Sequence, residues 1–453
     1  MYIFCVRLPL KWTCFNHFFN LSFYLGVFWA FAFCFILLSI NPHKKPISRT
    51  TMKVLTFQFN DESKFPVCHL GLEKNGEGIL DFFEDFHIPN SQSCRFFRET
   101  FDRFYSVRIS TSTLQLDPPS EFLQKMKAWM HNKADLLDQV TSQKIIRFTN
   151  KLTGEETLMN SVRDKRPVPE SSSAKIYLDK LIENSRENCD FCDYQKNTAM
   201  DTFGRIETEH SYTMANAFKL DKFHSMVVMR THDPINWSFT EFIDAFDAIQ
   251  QWFKKVLEID SGSIYHHVYW DMFPKAGGSQ IHPHIHMTAN SQGFHGALAI
   301  WESAALQYSN QNPGRNFYED LVYLHDQLGL VTLLGKAAAV AHINPRKDNE
   351  LLIMGQGGDP DFYRLLHSAV RVYMDEMKLY SFSMVIAFPT EESKGHTPIL
   401  ARMATRGDVS ERRSDVSSLE LFSASNVNSD PMKIARRLRR YVEKLPVSES
   451  DQS

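Results

Sequence analysis

The chain has 453 residues, of which 43% are hydrophobic and 23% are charged, and its formal net charge is -3. This length is sufficient for two or three folded domains, and the composition is that of an ordinary folded protein. The slight excess of acidic residues gives no electrostatic basis for binding nucleic acid, so we expect no nucleic-acid partner. The seven cysteines are scattered and odd in number, which does not look like a disulfide framework.

The N-terminal region contains an apolar and aromatic segment without charge, residues 21–40. A run of about 20 such residues can cross a bilayer as a helix. Positive charge is slightly heavier on the C-terminal side of this segment, which predicts that the rest of the chain is cytoplasmic. Alternatively, Met52 is the true start of the protein. Residues 1–51 are therefore interpreted either as a membrane anchor or as a gene-model extension.

Helical and strand patterns follow in the middle of the chain. Residues 52–140 stay unassigned, apart from a helix predicted over residues 122–140 from apolar residues at helical spacing. A second helix is predicted over residues 239–259. A strand rich in β-branched and aromatic residues is predicted over residues 263–270, and it leads into the most informative motif of the sequence.

Three histidines alternate with other residues directly after a Gly-Gly-Ser turn: His282, His284 and His286. In an extended segment, side chains two residues apart share one face, so the three imidazoles are expected to point the same way. Neutral imidazole is a metal ligand and a nucleophile, and the N–H groups of the turn, residues 277–280, can cradle phosphate oxygens. The pattern predicts attack at phosphorus. The alternatives are a metal-only site or surface histidines on an edge strand.

A Cys-x2-Cys pair, Cys189 and Cys192, can chelate one metal ion through two thiolates. The pair alone does not distinguish a metal site from a redox pair or from two unrelated thiols. A reducing cytosol would suit the metal–thiolate interpretation.

The His-Pro-His core after a Gly-x-Ser turn resembles the galactose-1-phosphate uridylyltransferase branch of the histidine-triad superfamily. Residues 150–158 and 161–167 are similar to the Asn-Pro-Leu-Thr-Gly and Arg-x-Lys-Arg-Pro opening of that branch. Residues 215–218 are similar to its Asn-x-Phe segment, and residues 227–232 to an apolar strand that ends in a histidine. The resemblance is therefore carried by four separate segments.

The resemblance implies a role for each matched residue. His284 is expected to be the nucleophile that holds a nucleotidyl intermediate, with His286 as its catalytic neighbour. Zinc is the expected cofactor, in a closed structural site formed by Cys189, Cys192, His232 and His282. The residues expected to bind substrate are Arg163, Arg166, Asn216, Phe218, Asp271, Gly277, Gly278, Ser279 and Gln280.

Two residues depart from the transferase pattern. Asp271 stands where the branch usually has Asn, and it would add a negative charge near the phosphates. His286 stands where the transferases have Gln, whereas hydrolytic members of the superfamily have His there. An imidazole can shuttle a proton to a leaving group or to water, which an amide cannot do. This departure favours hydrolysis as the runner-up to transfer.

The implied fold is α+β, with two histidine-triad-like repeats of antiparallel sheets and packed helices after an N-terminal extension. Residues 145–310 are expected to form the catalytic repeat and residues 311–440 a second, degenerate repeat. Residues 441–453 form a tail rich in polar residues that is expected to be disordered.

The expected function is that of a nucleotidyltransferase of galactose and carbohydrate metabolism. It would move a nucleoside monophosphate from a nucleotide sugar to a sugar phosphate through His284. A cytoplasmic catalytic domain, anchored to a membrane if residues 21–40 span it, and a homodimer are further expectations. The alternatives are a histidine-triad hydrolase or phosphorylase, and a non-catalytic zinc-stabilised nucleotide-binding module. His284 favours an enzyme, because a binding module needs no nucleophile.

Overall fold

The computed structural model describes residues 4–8, 11–15, 59, 65–70, 78–84, 88–115, 121–130, 134–160, 162–163, 174–393, 395–411 and 414–446. The chain divides into two compact units, Met1–Lys53 and Val54–Ser453. In the first unit, β1 (Phe4–Leu8) pairs with β2 (Lys11–Phe15) in antiparallel fashion. The predicted membrane segment, residues 21–40, lies outside the described residues. Among the helices of the described ranges, none is both long and apolar enough to cross a membrane.

The second unit mixes helices and strands. Its elements before the histidine motif are α1 (Ile79–Glu84), α2 (Gln92–Phe104), β3 (Tyr105–Thr113), α3 (Glu121–Trp129), α4 (Ala134–Thr141), β4 (Ser142–Asn150), β5 (Glu156–Met159), α5 (Ala174–Asn184), α6 (Tyr194–Asn197), β6 (Ser211–Ala215), β7 (Phe223–Met229), α7 (Phe239–Ile259) and β8 (Tyr265–Asp271). The later elements are β9 (His284–Asn290), α8 (Ala297–Gln311), α9 (Phe317–Gln327), β10 (Val331–Leu334), β11 (Ala337–Ala341), β12 (Leu351–Gly355), α10 (Pro360–Arg371), β13 (Phe382–Phe388), β14 (Ile399–Thr405), β15 (Ala424–Val427) and α11 (Pro431–Val442).

The helix α7 matches its prediction because its local signals agree. The Ser238 hydroxyl accepts a hydrogen bond from the Glu241 backbone N–H, and the Glu241 carboxylate accepts one from the Ser238 N–H, which forms a capping box. Phe242, Phe246 and Trp252 lie on its buried side at helical spacing. This packing fixes the long helix against the sheet that carries the histidines.

The helix predicted over residues 122–140 is wrong as a single element, because the structure has two short helices there, α3 and α4. The apolar residues that suggested one helix instead pack together between the two. Met126 and Met130 contact Val140 and Val162 in a small separate cluster. Tertiary packing therefore buries these apolar residues between two short helices and not along one long helix.

A nine-stranded antiparallel sheet forms the centre of the second unit, in the order β10-β11-β12-β14-β13-β8-β9-β7-β6. A four-stranded sheet has the order β15-β5-β4-β3, with β15 parallel to β5 and the other pairs antiparallel. The larger sheet positions the histidine motif on β9, near one end of the strand order.

The large sheet repeats one topology. Its first half has the order β6-β7-β9-β8, and its second half has the same order in β11-β12-β14-β13. In both halves a helix, α7 or α10, connects the second strand to the next strand in the chain. The halves meet where β8 pairs with β13. This arrangement confirms an α+β fold of two similar antiparallel repeats, while the exact repeat boundaries stay a prediction.

Two details differ from the sequence-based expectations. Cys68 and Cys94 form a disulfide, although the cysteine spacing did not suggest a disulfide framework. The two residues are 26 positions apart, and only the packing of the segment near Cys68 against α2 brings their Cα atoms to 4.6 Å. At the other end of the chain, α11 continues to Val442, two positions into the predicted tail, and residues 447–453 lie outside the described residues.

Candidate active site

The strand β9 begins at His284, so the three-histidine motif straddles the start of a strand. Across β9, His286 pairs with Met226 of β7 on one side and with Tyr269 of β8 on the other. Side chains two residues apart on a strand share a face, which places His284 and His286 on the same side of the sheet. His282 precedes the strand, and its ring belongs to a different cluster.

That cluster joins the four residues expected to bind metal: Cys189, Cys192, His232 and His282. Their ligand atoms all lie within 4.8 Å of one another. The Nδ1 atom of His282 lies 3.5 Å from the Cys189 sulfur and 3.6 Å from the Cys192 sulfur. The Nδ1 atom of His232 lies 3.2 Å from the Cys192 sulfur. Donor atoms from three separate segments of the chain therefore converge on one point.

The remaining ring nitrogens test whether this set fits a metal ion. His282 Nε2 donates to the Met229 carbonyl at 2.6 Å, and His232 Nε2 donates to the Ser185 hydroxyl at 3.0 Å. These partners assign the protons to Nε2, so the Nδ1 lone pairs of both rings face the sulfurs. The four residues fit a bound metal ion, and the fit ties His282 to the core two residues before His284.

The hydrogen bonding of His284 determines which of its ring nitrogens carries the proton. Its Nδ1 lies 2.8 Å from the carbonyl oxygen of His282, which can only accept, so Nδ1 carries the proton and Nε2 carries the lone pair. The side chain is buried, and burial lowers its pKa, against a raising effect of the carbonyl hydrogen bond and of the Asp271 charge. The imidazole is therefore neutral near neutral pH, with Nε2 available for attack.

The hydrogen bonding of His286 places its proton on the other ring nitrogen, Nε2. The Leu220 backbone N–H donates to His224 Nδ1 at 3.0 Å, so His224 carries its proton on Nε2. That Nε2 lies 3.0 Å from His286 Nδ1 and donates to it, which leaves the proton of His286 on Nε2. Burial lowers the pKa of His286 to about 3, with smaller contributions from His284 and His224. His286 is thus a neutral hydrogen-bond donor beside His284.

The backbone of the turn requires glycine at positions 277 and 278. A Cβ atom on Gly278 would lie 2.6 Å from the Asp271 carbonyl oxygen, so the close approach of the two segments requires glycine. Gly277 has a φ of +111°, which L side chains rarely adopt. The N–H groups of Gly277 and Gly278 donate to carbonyls of Pro274 and Phe273 within the same loop. Both groups are therefore committed to closing the loop that carries Ser279 and Gln280.

The charge of Asp271 is shared with a guanidinium. Its Oδ1 accepts a hydrogen bond from the Ser383 hydroxyl at 2.6 Å, and that hydroxyl accepts one from Arg406 at 2.8 Å. Arg406 also binds both carboxylate oxygens of Asp415, at 2.6 and 2.9 Å. The acidic residue that replaces the usual Asn is thus held in a network that offsets its negative charge.

Asn216 lies beside His224 without bonding to it, because Asn216 Nδ2 and His224 Nε2 are both donors, and the Phe218 side chain lies in solvent. The amide nitrogen of Asn216 lies 3.4 Å from His224 Nε2, and its Oδ1 accepts the Phe218 backbone N–H at 2.8 Å. The Phe218 side chain is 87% exposed beside this turn. The sequence analysis missed His224, although its even spacing from Met226 and Val228 along β7 was a signal that it faces the same side of the sheet.

The structure places Arg163 elsewhere. Its Nε donates to Asn428 Oδ1 at 3.2 Å, and Asn428 bonds to Asp348, just before β12. Four steps along the order β9-β8-β13-β14-β12 separate that strand from the nucleophile, which is roughly 19 Å at the usual strand spacing. Within one chain Arg163 is not brought to His284. Arg166 lies outside the described residues.

No protein-family model matches this chain, and no curated protein matches it. Solved structures do match. One is an ADP-glucose phosphorylase from Arabidopsis thaliana with bound ADP-glucose, at a TM-score of 0.50 and 14% identity, over 66% of this chain and 99% of that one. A uridylyltransferase mutant matches at a TM-score of 0.47 and 14% identity, over 67% and 100%. A galactose-1-phosphate-uridylyltransferase-like protein from Arabidopsis thaliana matches at 0.46 and 15%, over 58% and 93%.

At these identities the likeness concerns the fold alone. It extends over nearly the whole of the phosphorylase and over 66% of this chain. The chain therefore shares the fold of that ADP-glucose phosphorylase over about two thirds of its length.

Proposed function

We propose that this protein is a nucleotidyltransferase that moves a nucleoside monophosphate from a nucleotide sugar through a covalent intermediate on His284. The observation that carries the proposal is the position of the proton on His284. Its Nδ1–H donates to a carbonyl oxygen, so Nε2 has a free lone pair. A binding module would not need a buried, neutral imidazole in this state. The solved structure with ADP-glucose supports a nucleotide sugar as the donor class.

The reaction follows from the two histidines. Nε2 of His284 attacks the α-phosphorus, the bond from phosphorus to the bridging oxygen breaks, and the sugar phosphate leaves with the electron pair. Such a leaving group is already a stable anion and needs no proton. The Nε2–H of His286 donates a hydrogen bond to a phosphate oxygen as charge develops, in the way that preorganised donors stabilise a transition state. Ser279, Gln280 and Asn216 are the further substrate contacts.

The identity of the acceptor is the finer part of the proposal. A hexose 1-phosphate would complete a transferase cycle, and inorganic phosphate would complete a phosphorylase cycle. Both attack through an anionic oxygen. A neutral His286 with a pKa of about 3 is a poor proton shuttle but a good donor, so it does the work of the Gln amide that stands in transferases. His286 itself therefore gives no reason to favour water over a phosphate-type acceptor.

Zinc is the proposed resident metal at Cys189, Cys192, His232 and His282. Two thiolates and two imidazoles make a closed tetrahedral donor set, which is typical of structural zinc. The metal would stabilise the segment that begins β9. All chemistry at phosphorus is assigned to the chain's own histidines.

The test is to label the intermediate with nucleotide sugars that carry ³²P in the α-phosphate. We expect wild type to retain label in an acid-labile, base-stable linkage, as a phosphorus–nitrogen bond requires. His284→Ala should lose both label and turnover. His210→Ala, which removes a half-exposed histidine in the loop before β6, should keep both. Undiminished label in His284→Ala would exclude the mechanism.

A further inference from the structure

Three side chains beside the histidine motif form a hydrogen-bonded chain. The Tyr269 hydroxyl lies 2.6 Å from His295 Nδ1, and His295 Nε2 lies 2.9 Å from Asp221 Oδ2. Tyr269 is on β8, His295 follows β9, and Asp221 lies in the turn before β7. The proposed mechanism uses none of them.

Their proton positions follow from what each group can do. The Asp221 carboxylate only accepts, so His295 carries its proton on Nε2 and presents a lone pair at Nδ1. The phenol therefore donates its own proton to His295. The Tyr269 oxygen has two lone pairs, so it can accept a hydrogen bond from a ligand as well as one from the neighbouring Thr288 hydroxyl. A carboxylate that orients an imidazole, which in turn accepts from a hydroxyl, is the arrangement that activates a hydroxyl group in hydrolytic triads.

The surroundings hold this chain in one geometry. The Asn290 amide donates to the same Asp221 oxygen at 2.7 Å. The ring of His267 stacks on the ring of His295 with centroids 4.3 Å apart, and its Nε2 accepts the His295 backbone N–H at 3.3 Å. Burial lowers the pKa of His267 to about 3, so its ring stays neutral. It therefore adds no positive charge that would repel a proton on His295. The orientation of His295 is therefore fixed from three sides.

Tyr269 lies on the strand beside β9 and lines two cavities. It is the cross-strand partner of His286, so the two side chains leave the same face of the sheet about 5 Å apart at their Cβ atoms. Tyr269 lines a cavity of about 250 Å³ together with His295 and Arg402. It also lines a neighbouring cavity of about 280 Å³ together with Asp271 and Ser383. An acceptor molecule bound in either cavity would meet the Tyr269 side chain.

We propose that Tyr269 is a catalytic base for an acceptor that bears a hydroxyl group, with His295 and Asp221 as its positioning residues. The inference rests on the proposed intermediate. The acceptor hydroxyl gives its proton to the Tyr269 oxygen, and the phenol proton passes to His295 Nδ1. The acceptor oxygen forms a bond to phosphorus, and the bond from phosphorus to His284 Nε2 breaks with return of the lone pair to the imidazole. His295 leaves the step as an imidazolium paired with Asp221.

The side chain of His295 is 43% exposed, which gives the proton a route to solvent. Burial raises the pKa of Tyr269 to about 12, so the phenol keeps its proton at rest and transfers it only in step with the attack. The proposed acceptors are alcohols, including sugar hydroxyls, and water. The relay has no task for a phosphate acceptor, because near neutral pH the attacking phosphate oxygen already lacks a proton.

This difference makes the inference testable on the labelled intermediate. The wild-type intermediate is formed, freed of excess donor, and chased separately with buffer alone, with glycerol and with inorganic phosphate. We expect Tyr269→Phe to form the intermediate normally and to slow the release by water and glycerol by about 10²-fold or more, the usual worth of a positioned acid–base group. Release by inorganic phosphate should be unchanged.

Matched variants separate this role from a structural one. Tyr265→Phe removes a hydroxyl from the same strand and face, where the ring packs on Phe294, and should leave all three rates unchanged. His295→Asn should slow the hydroxyl acceptors as Tyr269→Phe does, and the double variant should be no slower than either single variant, because the residues act as one unit.

Each other outcome overturns a defined statement. If Tyr269→Phe slows all three acceptors equally, Tyr269 is structural and the inference is wrong. If it slows none of them, the relay is not used and the inference is again wrong. If wild type never takes up label from any donor, the proposed function fails first, and this inference fails with it.

Discussion

A single backbone N–H, that of Leu220, sets the proton positions on two histidines. It donates to His224, which donates to His286, so the outward Nε2 of His286 always carries a proton. The neighbouring His284 is set the other way by one carbonyl oxygen. The proposed donor and the proposed nucleophile are thus the same residue type, and their contacts alone give them different proton positions.

The donor role of His286 predicts different results for two substitutions. His286→Gln keeps an N–H at this position and should form the intermediate at a rate close to that of wild type. His286→Phe keeps the ring but removes the donor, and should slow formation by about 10²-fold to 10³-fold, as loss of one transition-state donor does. The rate of labelling from a single turnover measures both. Equal losses in the two variants would contradict the donor role.

At this scale the sequence predicted residue identities better than contacts. The resemblance to the uridylyltransferase branch implied the nucleophile and the four metal ligands, and the structure brings those ligands together. It could not predict that Arg406 offsets Asp271, because 135 positions separate the two and only the packing of β13 beside β8 connects them through Ser383. Tertiary neighbours of this kind leave no local pattern.

Among the elements, β9 depends on what precedes it. The strand starts two residues after His282, and the partners of His282 and His232 orient both rings toward the cysteine sulfurs. A bound metal would therefore stabilise the start of the strand that carries His284, since the binding energy of a structural metal is folding energy.

The hydrogen bond from His232 to Ser185 predicts a graded effect on the metal site. Ser185→Ala removes the acceptor of the His232 Nε2–H and should lower zinc affinity by about 10-fold to 100-fold. Cys189→Ser removes a ligand and should lower metal content and the melting temperature together. Competition with a chromophoric chelator measures affinity. Ser261→Ala, in an exposed loop, is the matched control. Unchanged affinity in Ser185→Ala would contradict the assigned tautomer.

Elements with strong local signals were predictable, and elements defined by long-range pairing were not. The capping box and apolar period were sufficient for α7. The four-stranded sheet joins β15 to β5 across more than 260 positions of sequence, and no local pattern in either strand indicates the partner. Register between distant strands is set by burial on both faces, which a single strand does not encode.

At the scale of the whole molecule, the two halves of the large sheet carry corresponding networks. Following the paired residues from His286 to Tyr269, then to Val385 and Arg402, places Arg402 at the position of His286 in the second half. His224 and Glu350 correspond in the same way, each two residues before the strand partner of His286 or Arg402. The second half has replaced hydrogen-bonded imidazoles by a buried ion pair of 2.9 Å.

This ion pair predicts a large effect on stability. Arg402 binds Glu350 and also Glu155, at 2.8 Å, and so connects the large sheet to the loop before β5. Burial alone would raise the pKa of Glu350, but Arg402 and His342 lower it to about 2. Arg402→Met would leave two buried carboxylates without this partner.

We expect Arg402→Met to lower the free energy of unfolding by about 3–5 kcal/mol, the usual cost of breaking a buried pair from one side. Urea unfolding followed by circular dichroism measures it. Arg95→Met, which breaks an exposed pair with Glu99, should change stability by less than about 1 kcal/mol. A loss for Arg402→Met as small as that of the control would show that the carboxylates are satisfied without it.

The pairing of β8 with β13 has a mechanical consequence. Six residue pairs, from Asp271 with Ser383 to His266 with Phe388, join the two repeats into one continuous sheet. A hydrogen-bonded ladder in the middle of a sheet cannot act as a hinge without losing its register. The two repeats therefore cannot close on a substrate by a rigid-body hinge motion. Any motion that admits a nucleotide and releases a product must be confined to the segments between strands, such as the turn between β6 and β7 that carries Asn216 and Leu220.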